Sequence, residues 1–351
     1  MPRYARRAIK RTWHVQIALS ETPMADADWD SRMGRRLKLR DLQILSGVVH
    51  WGSMAKAASH LAMSQPAVSE SIASLEAALG VRLLDRSTRG VEPTRYAQAL
   101  LARGRVAFDA LRQGIRDIEF LADPTVGEVS VACGDTVAAG LLPAVIDRLS
   151  RHRPNIAVRV IQSSAETPEY RELRERRIDL AVARISGPPA PEDLALEILF
   201  EDPHRIVAGA GTAWARRRKL TLADLAGEPW IFPANRVIRE LVAEAFARCG
   251  LPLPREKVTS NSILLRNQLL ATGRFLTVLP ASVLRYNAKP WALKALPVEL
   301  GVKPRSVGIL TLPNRTLSPV VEVFLQHLRA VAKTMANDPG EPPISGRDAR
   351  S

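Results

Sequence analysis

"GSMAKAASHLAMSQPAVSESIASLEAALG", Gly52 to Gly80, holds two short helical patterns in close succession. In the first, Ser53 is a good N-cap, and Ala57, Ala58 and Leu61 share a face on which small side chains let another helix approach closely. A tight turn spans Ala62 to Ser64. Ser64 can cap the second helix, and Pro66 suits its first turn, where a missing N–H costs little. Val68, Ile72, Leu75 and Leu79 form a buried stripe that Gly80 ends. The stripe turns Gln65, Ser69, Glu70, Ala73 and Ser74 outward near the start of the helix. This is the geometry of a helix-turn-helix, whose second helix offers its N-terminal residues to base edges in the major groove. An ordinary helical hairpin has the same spacing, so the flanking sequence must decide.

Working outward, Leu42, Leu45 and Val49 give a preceding helix from Leu39 to about Gly52. On the other side, "VRLLDRSTRGVEPT" supplies two extended pieces around a turn, with Arg82, Arg86, Arg89 and Arg95 on or beside it. Such a ribbon fits a wing laid against phosphates, where arginine positions the protein without reading sequence. Thr94 then caps a helix reaching about Ala122. Its small or apolar residues, Ala97, Leu101, Gly104, Phe108, Leu111, Ile115, Ile118 and Ala122, alternate in steps of four and three. That heptad seam predicts pairing with a second copy through Leu101, Phe108, Leu111, Ile115 and Ile118; packing against its own chain is the alternative. "ADPTVGE" ends the helix as a hinge.

Beyond it the pattern changes. "GEVSVAC", "IAVRVIQ" and "IDLAVARI" read as strands separated by helices in "LLPAVIDRLSRHRP" and "EYRELRERR", a βαβαβ order that implies a parallel sheet. After the proline-rich "SGPPAPED" a comparable module starts with "ALEILFEDPHRIVAGAG", continues through "LTLADLAGEPWIFP" and returns with "RFLTVLP". Two α/β lobes joined by crossing strands near Ile185 and Ala281 would enclose a ligand cleft. The predicted organisation is a basic, disordered extension over 1–36, a DNA-binding domain over 37–95, a dimerising linker helix over 94–122 and a two-lobed domain over 127–333. Lobe I takes about 127–186 and 283–333, lobe II about 187–282. A polar tail occupies 338–351.

Composition supports this division. A chain of 351 residues with 46% hydrophobic and 25% charged residues can bury more than one core. No apolar run is long enough to span a bilayer, so no membrane partner is expected. The formal net charge of +14 attracts polyanions such as nucleic acid. Cys133 and Cys249 are too far apart for a disulfide framework or a metal-ligand spacing, which suits a reducing cytoplasm.

With these residues in place, the chain from about Leu39 to about Lys333 resembles the LysR-type transcriptional regulators. The resemblance is carried above all by "GSMAKAASHLAMSQPAVSESIASLEAALGVRLLDRSTRGVEPT", similar along its length to the family's winged helix-turn-helix signature. It implies an N-terminal all-α winged helix-turn-helix with a long linker helix, followed by an α/β effector domain of the two-lobed, periplasmic-binding-protein-like kind. It further implies a bacterial regulator that binds double-stranded promoter DNA as a homodimer or dimer of dimers. A small-molecule effector would control it, and RNA polymerase would be its partner. Ala57 and Ala58 match the family's close-packing alanines; Ser64, Gln65, Pro66 and Ser69 match the start of the recognition helix, and Arg86 the wing arginine. Thr136 matches a hydroxyl residue that commonly contacts effector. The sequence departs from the family pattern at Leu84, Pro93, Glu70 and Phe275, where phenylalanine, leucine, a basic or amide residue, and glycine are usual. Glu70 can still accept a hydrogen bond from a cytosine amino group.

No catalytic signature competes with this reading. The sequence has no nucleophile elbow, P-loop, zinc-protease motif or dinucleotide fingerprint, and its six histidines lack ligand spacing, so neither enzyme, cofactor nor metal is expected. Ser53, Ser64, Gln65, Pro66, Ser69, Glu70, Ser74, Arg86 and Arg89 are the predicted DNA contacts. For the effector, "CGDTVAAG" leads into a helix N-terminus that favours an anion, with Asp135 and Thr136 beside it. Gln162, Ser163 and Ser164 end the next strand, and Phe232, Asn235, Asn261 and Ser262 occupy corresponding loops of the other lobe. Together they would suit a carboxylate-bearing metabolite, although Ser, Asp and Asn also cap loops routinely. An architectural DNA-binding protein without effector control is the alternative, and it has no need of the α/β half.

Overall fold

The computed structural model describes residues 37–87, 90–162, 170–185, 191–234 and 236–337; the extension and tail expected at the two ends lie outside them. The chain divides into two compact units, one ending at Gly104 and the other beginning at Arg105.

The first unit is built on α1 (Leu39–Trp51), α2 (Met54–His60) and α3 (Gln65–Leu79). Ile44, Leu45, Val48, Ala57, Ala58, Val68, Ile72 and Leu75 form its core, with Val49 and Leu79 packed at the margin. The caps follow the sequence. Ser53 Oγ accepts from Lys56 N at 3.4 Å and Ser64 Oγ from Ala67 N at 3.3 Å, while Gly52 and Gly80 end α1 and α3 in the left-handed region. The wing is the antiparallel pair β1 (Leu84–Ser87) and β2 (Gly90–Pro93), in which Leu84 faces Pro93 and Arg86 faces Val91. Both departures from the family pattern here are accommodated: Leu84 is buried against the helical core. Gly90 is obligatory. Its φ is +128°, and a Cβ there would lie 2.8 Å from the carbonyl oxygen of Gly52, to which Val91 N donates at 3.0 Å.

α4 (Arg95–Ala122) is capped by Thr94, whose Oγ1 accepts from Ala97 N at 3.3 Å. It runs from the first unit into the second.

In the second unit, lobe I is a five-stranded sheet in the order β4-β3-β5-β12-β6, from β3 (Gly127–Cys133), β4 (Ile156–Gln162), β5 (Leu180–Arg184), β6 (Ala195–Asp202) and β12 (Arg305–Thr311). β3 pairs in parallel with β4 and β5, as the βαβαβ order requires, whereas β12 runs antiparallel to β5 and β6. Between these strands lie α5 (Asp135–Ala139), α6 (Leu141–His152) and the single turn α7 (Arg171–Arg174); α12 (Pro319–Asn337) closes the lobe. Leu141, Val145, Leu149, Phe324, Leu325 and Leu328 pack with the strands in its core.

Lobe II holds the antiparallel sheet β10-β7-β11, from β7 (His204–Gly209), β10 (Thr277–Pro280) and β11 (Leu293–Ala295), and the parallel pair β8 (Trp230–Phe232) and β9 (Glu256–Thr259). Its helices are α8 (Ala213–Arg216), α9 (Arg236–Arg248), α10 (Ile263–Ala271) and α11 (Ala281–Asn287).

Two expectations about the lobes are corrected. "ALEILFEDPHRIVAGAG" is not one module of lobe II but two strands in different sheets, because β6 pairs with β12 and β7 with β10. The first crossing therefore falls at Pro203, not near Ile185. The return is later as well: β11 still pairs with β7, and Leu296, Val298 and Leu300 belong to the lobe II core. Lobe II is also not a repeat of lobe I, since β7 has antiparallel neighbours on both sides.

A buried polar knot marks the first crossing. Asp202, at the end of β6, binds the Arg184 guanidinium and accepts from Ser282 N at 3.1 Å and Ser282 Oγ at 2.6 Å. His204 stands beside Arg184, its Nε2 3.4 Å from the guanidinium.

Candidate functional site

The helix-turn-helix leaves one face of α3 bare. Val68, Ile72 and Leu75 face the core, so Gln65, Pro66, Glu70 and Ser74 stand exposed and Ser69 half-buried at the other side. Ser53 and Ser64 hold their helices' first turns with their hydroxyls, so their contribution to this face is to position it. Arg86 projects exposed from β1; Arg89 lies outside the described residues. Sequence reasoning overlooked the residue that aims the wing. Glu76, on α3, accepts from Leu83 N at 2.7 Å and Leu84 N at 3.2 Å, tying the start of β1 to the helix that carries the bare face.

The heptad seam divides. Leu101 packs against the helical core of the first unit, which is the intrachain alternative for that position. Phe108 is half-buried. Leu111, Ile115 and Ile118 are 50%, 57% and 68% exposed, an apolar row left uncovered among the described residues. On the buried side of the same helix Asp109 accepts from Arg176 and Arg315.

Of the predicted effector residues, the structure brings together Asp135, Thr136 and Gln162. They lie at the carboxyl ends of β3 and β4, and Gln162 Nε2 donates to Asp135 Oδ1 at 2.9 Å. Thr136 is half-buried in the first turn of α5. The helix expected to grip an anion is only five residues long and opens with the acidic Asp135, so its dipole is too small, and too nearly neutralised, to supply the attraction.

Phe232 is a correction. It is 1% exposed in the lobe II core, stacked with Trp230, and cannot line a cleft. Asn261 and Ser262 act as caps: Asn261 Oδ1 accepts from Ala234 N at 2.9 Å, and Ser262 Oγ from Leu265 N at 3.2 Å. Ser163, Ser164 and Asn235 lie outside the described residues. A recess of about 490 Å³ between α6, α11 and α12, lined by Asp147, Arg148, Arg151, His152 and Tyr286, contains none of the predicted site residues.

The positive charge that the short helix lacks is supplied from the other lobe, by a residue the sequence reading passed over. α10 packs against α5, and on it Arg266 is 3% exposed. Burial pulls the pKa of Arg266 down to about 10, against the opposing pull of the Asp135 carboxylate, so the group stays charged at neutral pH. Cys133 also ends β3 here, but burial and the neighbouring Asp135 push its thiol up to about 12, far from a reactive thiolate.

Known proteins repeat both halves of this architecture. Residues 39–98 match the bacterial regulatory helix-turn-helix of the LysR family, and residues 122–333 match the LysR substrate-binding domain. The transcriptional regulator GbpR of Azospirillum brasilense is 28% identical over 85% of this chain and 88% of its own. PcaQ of Agrobacterium fabrum is 26% identical over 85% of this chain and 96% of its own. Among solved structures, a full-length OxyR variant from Pseudomonas aeruginosa superposes with a TM-score of 0.59 at 21% identity, over 87% of this chain and 99% of that one. CbnR bound to its target DNA superposes with a TM-score of 0.56 at 22% identity, over 84% and 100%. These curated relatives are regulators of transcription, not enzymes. Among the described residues no helix is long and apolar enough to cross a membrane, and none gather as a metal-binding cluster. The chain belongs to the LysR family of helix-turn-helix transcriptional regulators.

Proposed function

We propose that this regulator binds a specific promoter site as a dimer through α3 and the wing, and that a small organic anion held between lobes I and II controls its action on transcription through RNA polymerase. The bare N-terminal face of α3 carries the reading. Its exposed residues are short or slender, its stripe is fully committed to the core, and an exposed arginine stands on the adjacent ribbon. A helix so presented can enter a major groove, with Gln65 and Ser69 at base edges and Arg86 on phosphate. The exposed row Leu111, Ile115 and Ile118 supports pairing of two chains, which would double the DNA contact across two half-sites. For the effector, Thr136 offers a hydroxyl on α5, the helix against which α10, carrying Arg266, packs.

The test separates base reading from backbone clamping. Gln65→Ala and Ser69→Ala should each lose about 1 to 3 kcal/mol of discrimination between the promoter site and random duplex, with the fold intact. Arg86→Ala should weaken binding to both duplexes alike and flatten its salt dependence. Unchanged discrimination in both α3 variants would remove α3 as the reader.

A further inference from the structure

Arg266 is a buried cation with no ion-pair partner among the described residues. The Nε of its guanidinium is shielded from solvent and has no hydrogen-bonding partner among the described residues. Asp135 relieves it only in part: its carboxylate favours the charge from a distance, but the two form no ion pair, and the carboxylate is already engaged by Gln162. A buried charge is ordinarily paired or hydrogen-bonded, because desolvation penalises it heavily.

The neighbouring residue shows that the packing here is specific. Asn267, 1% exposed, donates from Nδ2 to Asn287 Oδ1 at 3.1 Å, and Asn287 Nδ2 donates to the carbonyl of Ala139 at 3.0 Å. This bridge fixes α10 of lobe II against the end of α5 in lobe I. Arg266 sits one position earlier on the same buried stripe, as Ile263, Arg266, Asn267 and Leu270 are the residues α10 turns inward. The stripe thus carries a cation at a position where an apolar residue would pack at no electrostatic cost.

We infer that Arg266 is the anchor for the effector's carboxylate, seated between lobe II and the Asp135–Thr136 turn of lobe I. This rests on the reading of an effector site between the lobes. A planar guanidinium presents parallel N–H donors that match the two oxygens of a carboxylate. Thr136 can donate a further hydrogen bond. Asp135 beside the anchor opposes a second negative charge, so the class that fits is a singly charged carboxylate rather than a phosphate dianion. Because the ligand would join groups from both lobes, its binding would also favour whichever arrangement of the lobes holds them together.

The experiment uses the full chain and two variants, Arg266→Met, which removes the charge at similar length, and Arg266→Lys, which keeps the charge without the planar fork. Sodium acetate, benzoate and gluconate are the probes at matched ionic strength, with chloride, phosphate and neutral benzamide for comparison; binding is followed by calorimetry and thermal unfolding. Without ligand, Arg266→Met should unfold no earlier than the natural chain. At least one carboxylate should bind the natural chain, with Kd raised tenfold or more in Arg266→Met and by less in Arg266→Lys, and phosphate should bind more weakly. The inference is overturned if Arg266→Met is destabilised without ligand, if no carboxylate binds, or if phosphate binds better. Equal Kd in the natural chain and Arg266→Met overturns the anchor and leaves effector control standing. A carboxylate that binds through Arg266 yet leaves promoter affinity unchanged keeps the anchor and removes effector control instead.

Discussion

Replacing Asp109 with alanine should loosen the second half of α4 from lobe I. Asp109 accepts from Arg315 Nε and Nη2 at 3.0 and 2.9 Å and from Arg176 Nη1 at 2.8 Å. Asp179 shares the network, accepting from Arg315 and Arg116, both at 3.1 Å, and from Ser130 N at 2.9 Å. Both carboxylates are 2% exposed. After the change Arg315 keeps Asp179 and the Ile178 carbonyl, but Arg176, with its side chain 11% exposed, loses its acceptor. The cost is therefore that of orphaning one buried guanidinium, about 3 to 5 kcal/mol, toward the lower figure because Arg176 lies near enough to the surface to relax into water. At about 1.4 kcal/mol per tenfold, about 3 kcal/mol raises the opening equilibrium by roughly a hundredfold. Hydrogen exchange followed by mass spectrometry on peptides covering 105–122 reads that opening directly. Adding Arg176→Met to Asp109→Ala should recover much of the loss, since an apolar replacement of both partners leaves no stranded charge. A loss below about 1 kcal/mol in the single variant, or a double variant no better than the single, would show that the network does not hold this helix.

Acid should act through His204, whose pKa burial and the neighbouring Arg184 and Arg305 push down from 6.5 to about 3. The folded chain keeps it neutral while the unfolded chain takes up a proton, so stability present above pH 6.5 falls by about 1.4 kcal/mol per unit toward pH 3; His204→Gln should flatten this slope in urea titrations, and an unchanged slope counts against it. Glu76→Ala should lose about 1 to 3 kcal/mol of stability and weaken binding to every duplex, because the amides of Leu83 and Leu84 lose their acceptor, whereas Glu76→Gln should keep most of both; equal effects would deny the wing this support. With Cys133 buried and Cys249 exposed, a chromogenic disulfide reagent should titrate one thiol in the folded protein and two in denaturant; two in the folded state would mean that β3 opens readily. Leu111→Glu, which would bury a carboxylate in an apolar pairing surface, should make the chain sediment as a monomer, and a dimer that persists on dilution would place the pairing elsewhere.

The helix-turn-helix was legible because its rules are local. Ser64, Pro66 and Gly80 sit where a helix begins and ends, and Val68, Ile72 and Leu75 recur at the helical period, so a single segment fixes which face is bare. The ends of α1, α4 and β4 were readable for the same reason. Lobe II was not, because its strands pair across long stretches of chain. "ALEILFEDPHRIVAGAG" is one extended run with a single proline, and nothing within it says that Phe200 faces Val307 while Ile206 faces Val278. Only the partner strands separate the two sheets.

The effector residues failed and succeeded by a different rule. Ser, Asn and Asp in loops were nominated because they can meet a ligand, but the same groups satisfy backbone donors, and Asn261 and Ser262 do so. Phe232 failed because "WIF" is a three-residue strand too short to register as buried. The signal for Arg266 was present and of another kind. In "ILLRNQLLA" the helical period places Ile263, Arg266, Asn267 and Leu270 on one stripe, so two of the four inward positions carry polar side chains. A polar residue in a loop has water as an alternative partner; one on a buried stripe does not, and must be answered by another group. Asn267 is answered by Asn287. The Nε of Arg266 is not answered among the described residues, and that is what gives a polar position on a core-facing stripe more weight, as a sign of a ligand, than any number of hydroxyls at strand ends.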